Sequence, residues 1–224
     1  MSAQKKPVGR PRANGKPHLT KHQIFTATAG LISLHGYAGT SLRMIAQQLD
    51  ASPASLLNAF ASKEQLLNEL IEFAARSSFD FYQSLSELNL TPDIALYKSL
   101  YEETYAVAGH LEFAGLFYLP EINRSGFERA QAVRRDMLRH YEGLLRRGQE
   151  QSLFIANPVR YQAEQMFQLT ETSILALPGS ARPSLRAQAQ ASAAFGLRAV
   201  LVNPADLDHI IEQADGVHLK FNKL

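Results

Sequence analysis

The chain has 224 residues, 46% hydrophobic and 20% charged, with no cysteine and a formal net charge of +2. That length and apolar content suit one large soluble domain or two smaller ones with a buried core. Lack of cysteine excludes disulfides, thiolate metal sites and a cysteine nucleophile. No apolar run reaches the length of a membrane span, and no apolar signal core follows the basic N-terminus, so a cytoplasmic protein without membrane contact is expected.

Charge is unevenly placed. Lys5, Lys6, Arg10, Arg12, Lys16 and Lys21 crowd the first 22 residues with no acid among them, which leaves the remainder net acidic. Such an end suits a polyanionic partner. Pro7, Pro11 and Pro17 with Gly9 and Gly15, and no apolar periodicity, predict a disordered basic arm over 1–19. Within it, Val8-Gly9-Arg10-Pro11-Arg12 is similar to the core of the AT-hook. That resemblance implies an extended segment whose Arg10 and Arg12 enter the narrow minor groove of A·T-rich DNA.

Thr20 starts the first helix with Gln23 as its capping-box partner, and Ile24, Ala27, Leu31 and Leu34 are expected as its buried stripe. Gly36 ends it, in the place of a left-handed C-cap. Ser41 to Leu49 reads as a short helix on the spacing of Leu42, Ile45, Ala46 and Leu49. Asp50-Ala51-Ser52 interrupts it, and Ser52-Pro53 restarts a helix as N-cap and first position. Over 53–60, Leu56 and Phe60 point inward while Ala54, Ser55 and Asn58 point outward. Ser62 opens the next helix, with Gln65 placed to close a capping box. Two short helices joined by a tight turn describe a helix-turn-helix, whose second helix needs a small outward face to enter a major groove.

Gly36, Thr40-Ser41, Ile45-Ala46, Ser52, Leu56, Phe60, Ser62-Lys63-Glu64 and Leu66 together resemble the N-terminal domain of the TetR family of transcription regulators, without gaps, over about residues 20–70. The resemblance implies double-stranded DNA as partner, contacted by Thr40, Ser41, Arg43, Ser52, Pro53, Ala54, Ser55, Asn58 and Lys63. Arg43 faces away from Ile45 and Leu49, open to a base or phosphate. Lys63 is expected to hold a phosphate together with the first amides of its helix. Asp50-Ala51 stands where the family has Gly-Val, and Leu57 and Ala59 replace aromatic or histidine side chains that touch phosphates.

The helix from Ser62 runs to about Leu88 and joins the DNA-binding domain, 20–75, to a helical body, 76–215, with a flexible tail over 216–224. Thr91-Pro92 starts a helix, Ser125-Gly126 precedes a long one to about Gln151, and Asn157-Pro158, Pro183 and Asn203-Pro204 start three more. No strand alternation is present, so the fold is all-α. No phosphate loop, nucleophile elbow or paired histidine helix appears, so neither enzyme activity, cofactor nor metal site is expected. Aromatic residues are abundant instead. Phe79, Tyr82, Tyr97, Tyr101 and Tyr105 are candidates for an effector pocket, joined by Phe113, Phe117, Met137, Tyr141 and Phe167. An apolar cavity with a few hydroxyls is the usual form of a small-molecule site, and the family resemblance implies one.

Two stripes suggest self-association: Ala163, Met166, Thr170 and Ile174, and Leu185, Ala189, Ala193 and Leu197. Small residues let helices approach closely, and a homodimer would double the reading of a palindromic operator. Burial of both stripes against the chain's own body is the competing reading. A repressor released by a small-molecule effector is the function expected. The alternative is an all-α scaffold or protein-interaction module with a degenerate helix-turn-helix.

Overall fold

The computed structural model describes residues 19–113, 115–175 and 184–219; apart from turns and one isolated antiparallel bridge between Phe154 and Leu201, the elements there are helical. The first four are α1 (Lys21–Gly39), α2 (Leu42–Gln48), α3 (Pro53–Ala59) and α4 (Lys63–Ser86). Then come α5 (Pro92–Gly109), three 3-10 turns between Leu111 and Asn123, α6 (Glu128–Glu150) and α7 (Val159–Leu175). After α8 (Leu185–Arg198), a turn at Pro204–Asp206 leads into α9 (Leu207–Asp215).

Side-chain chemistry sets most of these boundaries. Both halves of the capping box at Thr20 and Gln23 are present. At α4 the Ser62 hydroxyl accepts the Gln65 amide, but the Gln65 side chain accepts from Ala61 rather than from Ser62. Gly36 takes φ 71 and ψ 166, a kink inside α1 rather than a left-handed cap, after which Tyr37 turns into the core. The buried face of α1 also differs from expectation. Ile24 is buried with Phe25, Thr28, Ala29 and Ile32, whereas Leu34 is 77% exposed. The bulkier Phe25 and Ile32 rotate the helix away from the Ala27–Leu31–Leu34 line.

In the body, α5 is the central helix, packed by α6, α7, α8 and α9, with every residue from Ile94 to Leu100 buried. Its closest neighbour is α8, where a Cβ on Gly196 would stand 2.8 Å from the Leu100 side chain. This packing corrects the expected dimer stripes. Ala163, Met166 and Thr170 of α7, and Ala189, Ala193 and Leu197 of α8, are all buried within the chain itself. The Ile174 side chain lies outside the described residues, and Leu185 is 39% exposed. Small residues at helical spacing bring α7 and α8 close to α5, not to a second copy.

α4 belongs to both halves of the molecule, and Asn68 makes it so. Its amide nitrogen donates to the Gly126 carbonyl at 2.7 Å and to Glu64 at 3.0 Å, while its oxygen accepts from the Ala130 amide at 3.0 Å. Ala130 lies in the first turn of α6, whose N-cap residue Phe127 supplies no side-chain cap, so Asn68 does that service from another helix. An Arg129–Glu72 ion pair and the edge-on Tyr37–Phe127 contact flank the same joint. Asn68→Ala would leave buried backbone groups unpaired, at about 1–3 kcal/mol. Thermal denaturation should show a fall of several degrees, and Asn68→Asp, which sets a buried carboxylate oxygen against the Gly126 and Glu64 carbonyls, should lose at least as much. An alanine variant as stable as the parent would show that the amide does not hold the joint.

Candidate nucleic-acid interface and the body behind it

The tight turn between α2 and α3 is built from short polar side chains. Ser41 caps α2, accepting the Met44 amide at 3.2 Å. Asp50 adopts φ 48, a left-handed conformation that aspartate tolerates better than most residues, and the Ala51 amide then reaches the Ala46 carbonyl at 2.8 Å. Asp50 therefore performs the turn without a glycine. Ser52 accepts the Ser55 amide at 3.1 Å, and the two hydroxyls lie 2.8 Å apart. Pro53 occupies the first helical position.

Leu56 and Phe60, fully buried, anchor α3. Everything else on that helix faces out: Pro53, Ala54, Ser55, Leu57, Asn58 and Ala59 are exposed, and so are Ser52 and, near the start of α2, Ser41 and Arg43. This surface offers short polar groups, the Asn58 amide, the Arg43 guanidinium and one large apolar side chain, Leu57, with no acid on α2 or α3. Such a convex, narrow helix face fits a major groove. Arg10 and Arg12 lie outside the described residues.

Two of the expected contacts are engaged elsewhere. Thr40 is only 2% exposed, and its hydroxyl donates to the Gly36 carbonyl at 2.9 Å, which closes the kink. Lys63 turns back to the end of α1. Its ammonium donates to the carbonyls of Tyr37 at 2.8 Å and Thr40 at 2.9 Å and sits 4.0 Å from the centre of the Tyr37 ring. The first turn of α4 already holds an anion as well. The Glu64 carboxyl is kept below its usual range by its own backbone amide and by the Ser62 hydroxyl. Lys63 thus spends two of its three N–H groups holding the N-terminal domain together, which leaves one for a phosphate. A lysine at a helix start looks the same in sequence whichever role it takes.

Ring contacts sort the aromatic residues behind α4 into separate groups. Phe113 meets Phe73 at the seam between domain and body. Tyr97, Tyr101 and Tyr105 stack along α5, from a buried Tyr97 to a Tyr105 that is 45% exposed. Phe79 and Tyr82 meet each other, and Tyr82 meets Tyr141. Phe117 and Tyr118 both contact Phe167. Tyr141 donates its hydroxyl to buried Glu103, and burial, Glu103 and then Tyr118 push the Tyr141 pKa well up. Tyr118, Tyr141 and Phe167 therefore gather about Glu103, with Phe117 beside them, whereas Phe113 and Tyr105 do not join them. Met137 is buried on the same helix as Tyr141.

Sequence reasoning missed the polar interior of α5. Lys98 and Glu102 form a buried pair at 2.9 Å, and Ser99, Glu103 and Thr104 are buried too. The signal was present: between Pro92 and Gly109 no helical face is free of apolar residues, so a helix that long has no side left for its charges. Among the described residues no group of three potential ligands could hold a metal ion, and no helix is long and apolar enough to cross a membrane.

Residues 24–70 match the family described as bacterial regulatory proteins, tetR family, so the helix-turn-helix segment is similar to the N-terminal domain of that family. No curated protein matches the chain significantly. Among solved structures, the fold is similar to that of AmtR from Mycobacterium smegmatis, at 22% identity and TM-score 0.71 over 94% of this chain and all of that one. It is also similar to a tetR-family regulatory protein from Rhodococcus RHA1, at 18% identity and TM-score 0.72, covering 82% and 98% of the two chains. AibR in complex with isovaleryl coenzyme A and operator DNA shares the fold at 17% identity and TM-score 0.68, over 78% of this chain and 96% of its own.

The clamp can be tested without DNA. Lys63→Met keeps the aliphatic stem but strips two charge-assisted hydrogen bonds from the end of α1. It should destabilise the protein by about 1–2 kcal/mol, discounted because the site is half-exposed. Melting should fall by roughly 2–4 °C per kcal/mol in a chain of this size. An unchanged melting temperature would show that the ammonium is free for another partner.

Proposed function

We propose that the chain is a homodimeric DNA-binding transcription regulator that reads an operator duplex with α3 and is released by a small-molecule effector held in the helical body. The observation that carries this reading is the outward face of α3, small, polar and free of acid, standing on a fully buried Leu56–Phe60 anchor inside a TetR-type domain. Asn58 is the side chain there best suited to paired hydrogen bonds with an adenine edge, and Leu57, 53% exposed, suits a thymine methyl. Arg43 is placed for a base or a phosphate. The basic arm over 1–19, with Arg10 and Arg12, adds attraction to the adjoining minor groove.

Effector binding fits the region around Glu103, where a carboxylate, the Tyr141 hydroxyl and aromatic rings share one interior. Fully buried Thr104 adds a hydroxyl with no hydrogen-bond partner among the described residues. A repressor needs two states. An effector that prefers one arrangement of α5 and α6 would shift α4 through Asn68 and change the spacing of two α3 helices.

The experiment is selection from a random duplex pool followed by anisotropy titration. The expected product is a palindrome of two half-sites. Asn58→Asp should cost that site about 1–3 kcal/mol or more, by losing a paired base contact and placing a charge among phosphates. Recovery of no sequence, or an aspartate variant that binds as the parent does, would move recognition off α3.

Dimerisation moves to the outer faces of α7 and α8. Tyr161 is 65% and Phe195 68% exposed, and Ala187, Ala191 and Ala199 line up with Phe195 at four-residue spacing, all exposed. Val202, 55% exposed, extends the patch. Large exposed aromatics flanked by alanines are the surface expected at a close helix–helix seam. Phe195→Glu should shift the protein to monomer in sedimentation at micromolar concentration without lowering its helix content. A parent that sediments as a monomer, or a glutamate variant that dimerises as tightly, would rule this seam out.

A further inference from the structure

A cleft of about 420 Å³ opens at the far end of α4, between it, the start of α5 and the second half of α6. Its apolar walls come from Leu85, Leu90, Pro92, Ala95 and Leu144. One side is closed by Tyr82 and His140, whose rings stack 3.6 Å apart within 9° of parallel. The His140 ring is fixed from behind by Ser99, 2.8 Å from its Nε2, and Ser99 itself donates to the Ala95 carbonyl. Burial, and then Arg147, push the His140 pKa down to about 3, so the ring is a neutral wall at pH 7. The Tyr82 hydroxyl is buried with no hydrogen-bond partner among the described residues.

The charge of the cleft comes from two guanidiniums and no carboxylate in its lining. Arg139, Gly143 and Arg147 follow each other at four-residue spacing, and all three line the cleft, so they share one face of α6. Arg139 is already paired with Asp136, one turn back. Arg147 makes no ion pair among the described residues, and its Nη1 lies 3.7 Å from where a Cβ of Gly143 would be. That guanidinium therefore reaches back over the bare stretch of helix. A glycine in mid-helix is less favourable than an alanine. Here nothing in the chain's own packing demands it, because a Cβ would meet only ordinary contact distances. Gly143 thus leaves the floor beneath Arg147 bare of a side chain.

We propose that this cleft is a binding site for a small organic anion with an apolar body, its head group on Arg147 and its body against Leu85, Leu90 and Leu144. The volume lies within the range of small-molecule sites, and the lining sets apolar side chains beside Ser86, Asn89, Gln151 and two guanidiniums, the mixed apolar and polar lining that orients a bound ligand. A carboxylate and a phosphate ester carry the same chemistry, since a guanidinium pairs with either in bidentate fashion. The site is distinct from the interior around Glu103, though Tyr82 and Tyr141 touch between them. It does not rest on the DNA-binding reading.

The test is calorimetric titration of the full chain, without DNA, using octanoate, octyl phosphate and neutral octanol. One or both anions should bind at least tenfold tighter than octanol, and which one does identifies the head group. Gly143→Met fills the floor with a better helix former, and Arg147→Gln removes an exposed charge; each should weaken the anion at least tenfold while melting stays near the parent's. If the methionine variant fails to fold, the glutamine variant decides alone. Octanol binding as tightly as the anions, both variants binding as the parent does, or no heat from any probe would each overturn the proposal.

Discussion

A buried side-chain amide holds the two halves of this molecule in one geometry. Asn68 is reached by the backbone at both its nitrogen and its oxygen, and the groups it satisfies belong to α6 and the loop before it. An amide can serve donor and acceptor at once, which neither leucine nor aspartate can do. Because unpaired buried backbone groups are expensive, α4 and α6 cannot slide apart without exposing that cost. The DNA-binding domain is coupled to the body by chemistry rather than by greasy contact alone. The flanking Phe73–Phe113 and Tyr37–Phe127 pairs add area to the joint, but edge-on rings tolerate rotation in a way that the two directed hydrogen bonds across it do not.

Lys63 has the same role at the start of α4. It fastens that end of the helix to the kinked end of α1 by two directed bonds. Taken with Asn68, this makes α4 a lever gripped by directed bonds at the domain end and exposed to two interiors along its length: the group about Glu103 and the cleft beside Tyr82. A ligand in either place need not touch the DNA-binding domain. It need only prefer one packing of α4 against α5 and α6.

How much of this was legible in the sequence depended on whether a residue's partner was local. Caps, turn and the α2–α3 pair are decided within a few residues, and there Thr20, Ser41, Ser52 and Ser62 all act as N-caps, as their positions indicate. The inward line of α6, from Ala130 to Leu144, was equally readable, because a helix with one polar face has one way to lie. What failed was assignment of partners across space. Ala189 and Ala193 promised a close helix neighbour, and there is one, but it is α5. Periodicity says that a face is buried and never against what. Lys63 and Thr40 failed for the same reason: both sit at the edge of a DNA-reading surface and spend their polar atoms on the backbone behind it.

The central helix shows what such misreadings have in common. α5 is buried along most of its length yet carries a lysine, two glutamates, a serine and a threonine inward. A buried ion pair such as Lys98–Glu102 is a poor source of stability, since desolvation offsets much of its Coulomb gain. An apolar α5 would have held the body together more firmly. Its polar interior confines the neighbours instead: Glu103 constrains Tyr141 through a hydrogen bond, and Ser99 constrains His140 and through it the Tyr82 ring of α4. Each of these links is a directed contact with few alternative geometries, so a small rearrangement around α5 must be passed on to α4 or else break a buried bond. The body of this protein is therefore less stable than an apolar one would be, and its buried polar groups tie α5 to α6 by directed bonds instead.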